Sequence, residues 1–213
     1  MAVAIVVAAG SGERLGAARP KAFVALAGRP MLAWSLDAAR AAGLSDVVVA
    51  LPEGEEAPAG CVGVRGGATR SASVRAALRT APPGDIVVHD AARPLVDPDL
   101  FTRTLAALEE ADCAIAAARV PDTIKEADED GWVTATLDRA RLWAIQTPQA
   151  FRRAALERAL DVDDAILARA TDDAWLVERA GGSVRVVEST PANFKVTTAH
   201  DLAVAERALR ERC

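Results

Sequence analysis

The chain of 213 residues has little of what many enzymes use for chemistry: two histidines and three cysteines in all. Neither histidine stands in a Ser/His/Asp or Cys/His pattern, so hydrolase-like nucleophilic catalysis has no candidate residues. Cys61, Cys113 and Cys213 are odd in number, lack metal-like spacing and read as free thiols of a reducing cytoplasm. No window approaches eighteen uncharged apolar residues, which excludes a membrane-spanning helix. Met1 to Ala9 has neither a basic leader nor a small-residue cleavage site, and reads as a first strand rather than a signal peptide. A surplus of positive charge is missing too. With 25 Lys+Arg against 30 Asp+Glu the net charge is -5, and no nucleic-acid partner is expected, because that needs a basic face. At 51% apolar and 26% charged residues the chain is no disordered segment, and its length suits one domain with a substantial core.

Lysine is scarce as well: among 25 basic residues only Lys21, Lys125 and Lys195 are lysines. The chain writes arginine wherever a solvated positive charge suffices. A lysine is a compact point charge and an arginine a planar fork, so the three lysines are the first candidates for tight sites.

Short β-branched runs alternate with amphipathic stretches. Val3–Ala8, Asp46–Leu51, Ile86–His89, Cys113–Ala118 and Val184–Val187 read as strands. Pro30 opens a helix that Gly43 closes; Ser71–Thr80 reads as a second helix, and Asp97-Pro98 as the cap of a third running to about Ala111. Thr198–Arg210 closes the chain, with a capping-box-like Thr198-x-x-Asp201 at its start. This order predicts an α/β fold: a doubly wound, mostly parallel, Rossmann-like sheet with helices on both faces. Thr123–Ala127 and Trp132–Leu137, joined by Asp128-Glu129-Asp130-Gly131, break the rhythm as an inserted β-hairpin. A lone hairpin is marginal in water. The chain therefore reads as a single domain over 1–213 with a β-arm at about 121–141 that needs a surface to lie against.

Chemistry starts after the first strand, where Ala8-Ala9-Gly10-Ser11-Gly12-Glu13-Arg14 leads on to Arg19-Pro20-Lys21. A glycine loop at the carboxyl end of such a strand lets backbone N–H groups close on phosphates. The third glycine, Gly16, falls one place too late for a dinucleotide fingerprint, and no Gly-Lys-Ser/Thr makes a P-loop. Residues 1–30 nevertheless hold Arg14, Arg19, Lys21 and Arg29 against Glu13 alone, as a polyphosphate site would.

The glycine loop followed by Pro-Lys resembles the sugar-phosphate nucleotidyltransferases. Later motifs narrow the likeness. Gly66-Gly67-Ala68-Thr69-Arg70-Ser71-Ala72-Ser73-Val74, Val88-His89-Asp90-Ala91-Ala92-Arg93-Pro94, Asp122-Thr123-Ile124-Lys125 and Leu137-Asp138-Arg139 occur in order. Gln146-Thr147-Pro148-Gln149, Thr171-Asp172-Asp173-Ala174 and Asn193-Phe194-Lys195-Val196-Thr197 follow. Over about residues 3–209 the chain resembles the 2-C-methyl-D-erythritol 4-phosphate cytidylyltransferase family, departing from its pattern at Ala22, Ala68-Thr69 and Trp175.

The resemblance implies attack by a sugar-alcohol phosphate on the α-phosphorus of CTP, with Mg²⁺ held mainly through CTP phosphates. It implies catalytic roles for Arg14, Lys21, Arg139 and Lys195. Ala8, Ala9, Gly10, Ser11, Gly12, Gly67, Ser73, Asp90 and Ala91 would hold the nucleotide. Asp90, Arg93, Thr123, Arg139, Thr147, Thr171 and Lys195 would meet the sugar phosphate, with Lys125 left as a solvated hairpin residue. It also implies a homodimer whose arms clasp across a two-fold axis, bringing Thr123 and Arg139 towards the neighbour's substrate, in a cytoplasmic enzyme. Two alternatives stay open at this stage: a cytidylyltransferase for ribitol phosphate or a similar polyol phosphate, and a non-catalytic nucleotide-binding protein.

Overall fold

The computed structural model describes residues 2–10, 12 and 19–212. In chain order its elements are β1 (Ala2–Val7), β2 (Ala25–Leu26), β3 (Arg29–Pro30), α1 (Met31–Ala41), β4 (Val47–Leu51) and β5 (Val62–Arg65). Next come α2 (Arg70–Leu78), β6 (Asp85–Asp90), α3 (Pro98–Ala106), β7 (Cys113–Arg119), β8 (Lys125–Ala127) and β9 (Val133–Thr136). β10 (Trp143–Phe151), α4 (Arg153–Leu160), α5 (Asp164–Arg169), α6 (Asp173–Arg179), β11 (Val184–Glu188) and α7 (Ala199–Arg212) complete it.

Seven strands form one sheet in the order β11-β7-β10-β6-β1-β4-β5. β1 lies parallel to both β4 and β6, β4 to β5, and β7 to β11. β10 runs antiparallel between β6 and β7, which is where the sheet departs from the all-parallel rhythm of the strands legible in sequence. β1 is apolar at every position because both its faces are covered. Val3 and Ile5 pack with Val74, Leu78 and Leu156 beneath α2 and α4, while Ala4 and Val6 pack with Leu36 and Phe101 beneath α1 and α3.

Helix starts follow local chemistry. The Asp97 carboxylate accepts the Asp99 N–H (2.9 Å) ahead of α3, and Asp172 accepts the Trp175 N–H (2.8 Å) ahead of α6. At α7 the box closes both ways: Thr198 Oγ1 accepts from Asp201 N (3.2 Å), and Asp201 Oδ2 accepts from Thr198 N (2.8 Å). α7 then packs Ala205 and Leu209 against Leu26, Met31 and Val196.

The arm is a hairpin, with strands shorter than the runs Thr123–Ala127 and Trp132–Leu137 suggested; β8 and β9 pair antiparallel with a bulge at Glu126/Ala127. Its own chain does not cover it: Trp132 is 75% and Val133 61% exposed. Among the described residues no helix is long and apolar enough to cross a membrane.

From β1 the chain builds outward through β4 and β5, then returns to place β6 on the other side of β1. Such a reversal leaves a crevice at the carboxyl ends of the strands beside it, which is where open α/β sheets bind ligands.

Candidate active site

A crevice of about 680 Å³ opens there, with the β1 loop on one wall and the turn ahead of α2 on the other. Gly12 has φ +78°, and a Cβ built on it would lie 2.7 Å from Lys21 Cβ. Only glycine takes that conformation without strain while letting the loop lie on the Lys21 stem. The opposite turn is tied down at three points. Gly66 N–H donates to the Leu51 carbonyl (2.8 Å). Ser73 Oγ accepts the Gly67 N–H (3.0 Å) and donates to the Thr69 carbonyl (2.9 Å). Any Cβ on Gly66 would collide with Ala9, so the two walls meet backbone against small side chain.

Asp90 ends β6 at the crevice floor, its side chain only 8% exposed. Its Oδ1 accepts from Arg70 Nε (2.9 Å) and its Oδ2 from Lys195 Nζ (2.7 Å). Arg70 continues through Nη1 to Oδ2 of the fully buried Asp173 (2.5 Å). Burial alone would raise the Asp90 carboxyl, but the charges of Arg70 and Lys195 outweigh it and hold Asp90 well below the ordinary carboxylate range. Burial likewise works against the Arg70 charge, yet Asp90 and Asp173 raise its hold on the proton.

A second hollow of about 270 Å³ shares Arg70, Asp90 and Lys195 with the crevice and adds Arg93, Gln146, Thr147, Gln149, Thr171 and Asp172. Behind it lies His89, buried beside Phe101 with ring centroids 5.1 Å apart. His89 Nε2 faces the Arg93 carbonyl (3.3 Å), so the hydrogen-bond network assigns the N–H to that nitrogen. Nδ1 then accepts from the Thr147 hydroxyl (3.0 Å), whose oxygen accepts the Asp90 backbone N–H (3.0 Å). Burial is the main reason the His89 pKa falls to about 4; Asp90 opposes the fall and Arg93 adds to it.

Ala8, Ala9, Gly10, Gly12, Lys21, Gly67, Ser73, Asp90, Ala91 and Lys195, all candidates from sequence, line the main crevice. Arg93, Thr147 and Thr171 line the second hollow. Two of these are turned inward: the Thr147 hydroxyl faces His89 and Asp90, and the Arg93 guanidinium donates to the carbonyls of Asn193 (2.8 Å) and Ile145 (3.3 Å). Thr123 and Arg139 line neither hollow of their own chain; both are exposed at the arm, where Arg139 donates to the Pro121 carbonyl (2.7 Å). Ser11 and Arg14 lie outside the described residues. Sequence reasoning missed Arg70 and Asp173. Both stood inside quoted motifs, but their partners are 20 and 103 residues away and no local pattern announces the pairing.

The Rossmann-like sheet and this glycine-walled, cation-bearing crevice define the class: a nucleotidyltransferase. A family model described as IspD, 2-C-methyl-D-erythritol 4-phosphate cytidylyltransferase, matches residues 2–211. The chain belongs to that family. It is 44% identical over 223 residues to the 2-C-methyl-D-erythritol 4-phosphate cytidylyltransferase of Synechococcus sp. (strain CC9902), covering 98% of this chain and 97% of the relative. The Deinococcus radiodurans protein of that name is 46% identical over 205 residues, 95% of this chain and 87% of the relative. The crystal structure of the Thermus thermophilus protein of that name superposes with TM-score 0.82 at 38% identity, covering 99% of this chain and 100% of the other.

Proposed function

We propose that this chain transfers the cytidylyl group of CTP to 2-C-methyl-D-erythritol 4-phosphate, giving 4-diphosphocytidyl-2-C-methylerythritol and pyrophosphate. An oxygen of the sugar phosphate attacks the α-phosphorus in line; the bond to the β-phosphate oxygen breaks, and its electrons leave with pyrophosphate. The observation that carries the reading is the shared wall: the larger crevice and the smaller hollow meet at Asp90 and Lys195, so two polyanions can lie end to end.

A phosphate nucleophile is already anionic, so the site needs position and positive charge rather than a base. This agrees with what surrounds Asp90. Its carboxylate is committed to two cations, and the neutral His89 is sealed behind Thr147. Lys21 and Arg14 act on the triphosphate and the transition state. Gly10, Ser11 and Gly12 supply the backbone cradle, and Gly67, Ser73 and the Ala8-Ala9 backbone surround the cytosine. Lys195 keeps one N–H on Asp90 and turns the others to the incoming sugar phosphate, which it orients. Thr147 and Arg93 shape the second hollow from behind, with Thr171 at its rim.

Mg²⁺ enters as part of the substrate complex. Among the described residues no three His, Cys, Asp or Glu side chains stand together to hold a metal, a donor set that suits an ion carried on phosphates and water. When bound, the ion neutralises phosphate charge.

The 75% exposed Trp132 and 61% exposed Val133 support an arm-to-arm homodimer, in which Thr123 and Arg139 complete the partner's site. Free Cys61 and Cys113 fit a single-domain cytoplasmic enzyme. Pyrophosphate release tests the whole reading: it should require CTP, the sugar phosphate and Mg²⁺ together, with ATP and GTP far slower. Equal rates with ATP contradict a pyrimidine pocket.

A further inference from the structure

We infer that Arg70 is a positioning residue of this site: its guanidinium locks the Asp90 carboxylate against Asp173, and so sets Lys195 at the wall the two hollows share. The inference rests on the cytidylyltransferase reading above.

Arg70 is the first residue of α2, where the Thr69 hydroxyl caps the helix by accepting the Ala72 N–H (3.1 Å). Asp173 is the first residue of α6, so one side chain joins the helix beside the nucleotide turn to the helix that follows Thr171. The fork uses Nε for Asp90 and Nη1 for Asp173, and Nη2 is buried with no partner. The two nitrogens that make bonds are thus spent on carboxylates rather than on a ligand, although the guanidinium borders both hollows. Buried ion pairs contribute little net stability compared with apolar packing, and Asp173 Oδ1 is left unpartnered at that. The arrangement gains meaning as geometry. Two bonds on one planar group stop Asp90 from turning, which leaves Oδ2 as the single oxygen that Lys195 meets at 2.7 Å. A lysine at position 70 could hold one carboxylate but not fix the angle between two.

The charged and titratable groups facing Asp90 are Arg70 from α2, His89 from β6, Arg93 just beyond β6, and Lys195 ahead of α7. Removing Arg70 removes the foremost of the cations that keep Asp90 ionised. The test is the rate with CTP and methylerythritol phosphate from pH 5 to 8 for Arg70→Met and Arg70→Lys, with folding checked by thermal melts and CTP affinity by titration. Wild-type turnover in the same assay checks the functional reading separately.

Both variants should lose at least ten-fold in kcat, while CTP affinity changes less than three-fold. Arg70→Met should lose activity on the acid side at a higher pH than the wild type does, because Asp90 loses the foremost cation favouring its charged form; a merely structural arginine would not move that profile. Folded Arg70→Lys with wild-type kcat overturns the inference, whether or not Arg70→Met folds.

Discussion

Thr147 Oγ1 lies 3.0 Å from His89 Nδ1 while accepting the backbone N–H of Asp90, so a buried neutral imidazole braces the residue at the centre of the site. The folded pKa of His89, about 4, lies below its ordinary 6.5. The unfolded chain therefore binds the extra proton first as pH falls. Stability is complete above about pH 6.5 and declines towards pH 4, by on the order of 3 kcal/mol in all. Asp90, with its depressed pKa, loses its contribution only below about pH 3.8 and does not enter this window. Urea midpoints at pH 7, 6, 5 and 4.5 should fall steadily in the wild type and flatten in His89→Gln. An equal slope in both proteins would rule the histidine out as the cause.

Gly12→Ala should cut kcat at least ten-fold. The added methyl meets Lys21 Cβ at 2.7 Å in a φ +78° backbone, and the strain itself costs about 1–2 kcal/mol. Loop and lysine must separate, so the loss should appear in turnover more than in the melting temperature. Steady-state kinetics beside a thermal melt checks this.

How far the sequence carries depends on range. β1, β4 and β6 were legible because continuous β-branched runs have few other homes, and α3 and α7 because their caps lie within four residues of one another. β10 was not. Its middle reads Gln146-Thr147-Pro148-Gln149, polar residues around a proline that cannot donate to a ladder. The structure accommodates this with a register shift between Ile145 and Gln149, and buries Gln146 on Thr190 and Asn193 instead of on a ladder partner. β5, Val62–Arg65, is a mostly exposed edge strand with a glycine in it and gave no pattern to read. The glycine loop, Lys21, Asp90 and Lys195 were found as motif members; that Lys195 and Asp90, 105 residues apart, touch each other is a property of the fold alone.

The lysines separate into two kinds. Lys21→Ala should lower kcat by roughly 100-fold or more, since it removes charge from the developing transition state. Lys125 is exposed on β8 with its Nζ on Thr136 Oγ1 (2.6 Å), and Lys125→Ala should stay within two-fold. Parallel kinetics on the two variants decides; matching losses would remove the argument from lysine scarcity.

The arm gives a prediction about subunits. Lys21→Ala and Arg139→Ala, each inactive alone, should regain activity on co-expression. A mixed dimer with shared sites has one site carrying both lesions and one carrying neither, so up to about half of wild-type activity per mixed dimer is expected. If Arg139 served its own subunit, mixing would restore nothing.

The reaction itself is tested most directly by ³¹P NMR of purified wild-type chain incubated with CTP, methylerythritol phosphate and Mg²⁺. Transfer at the α-phosphorus predicts that the CTP and sugar-phosphate resonances disappear together, replaced by pyrophosphate and a new diphosphate diester in equal amounts. Formation of CDP, which means attack at the γ-phosphorus, or CTP consumption that leaves the sugar phosphate intact, would contradict the account.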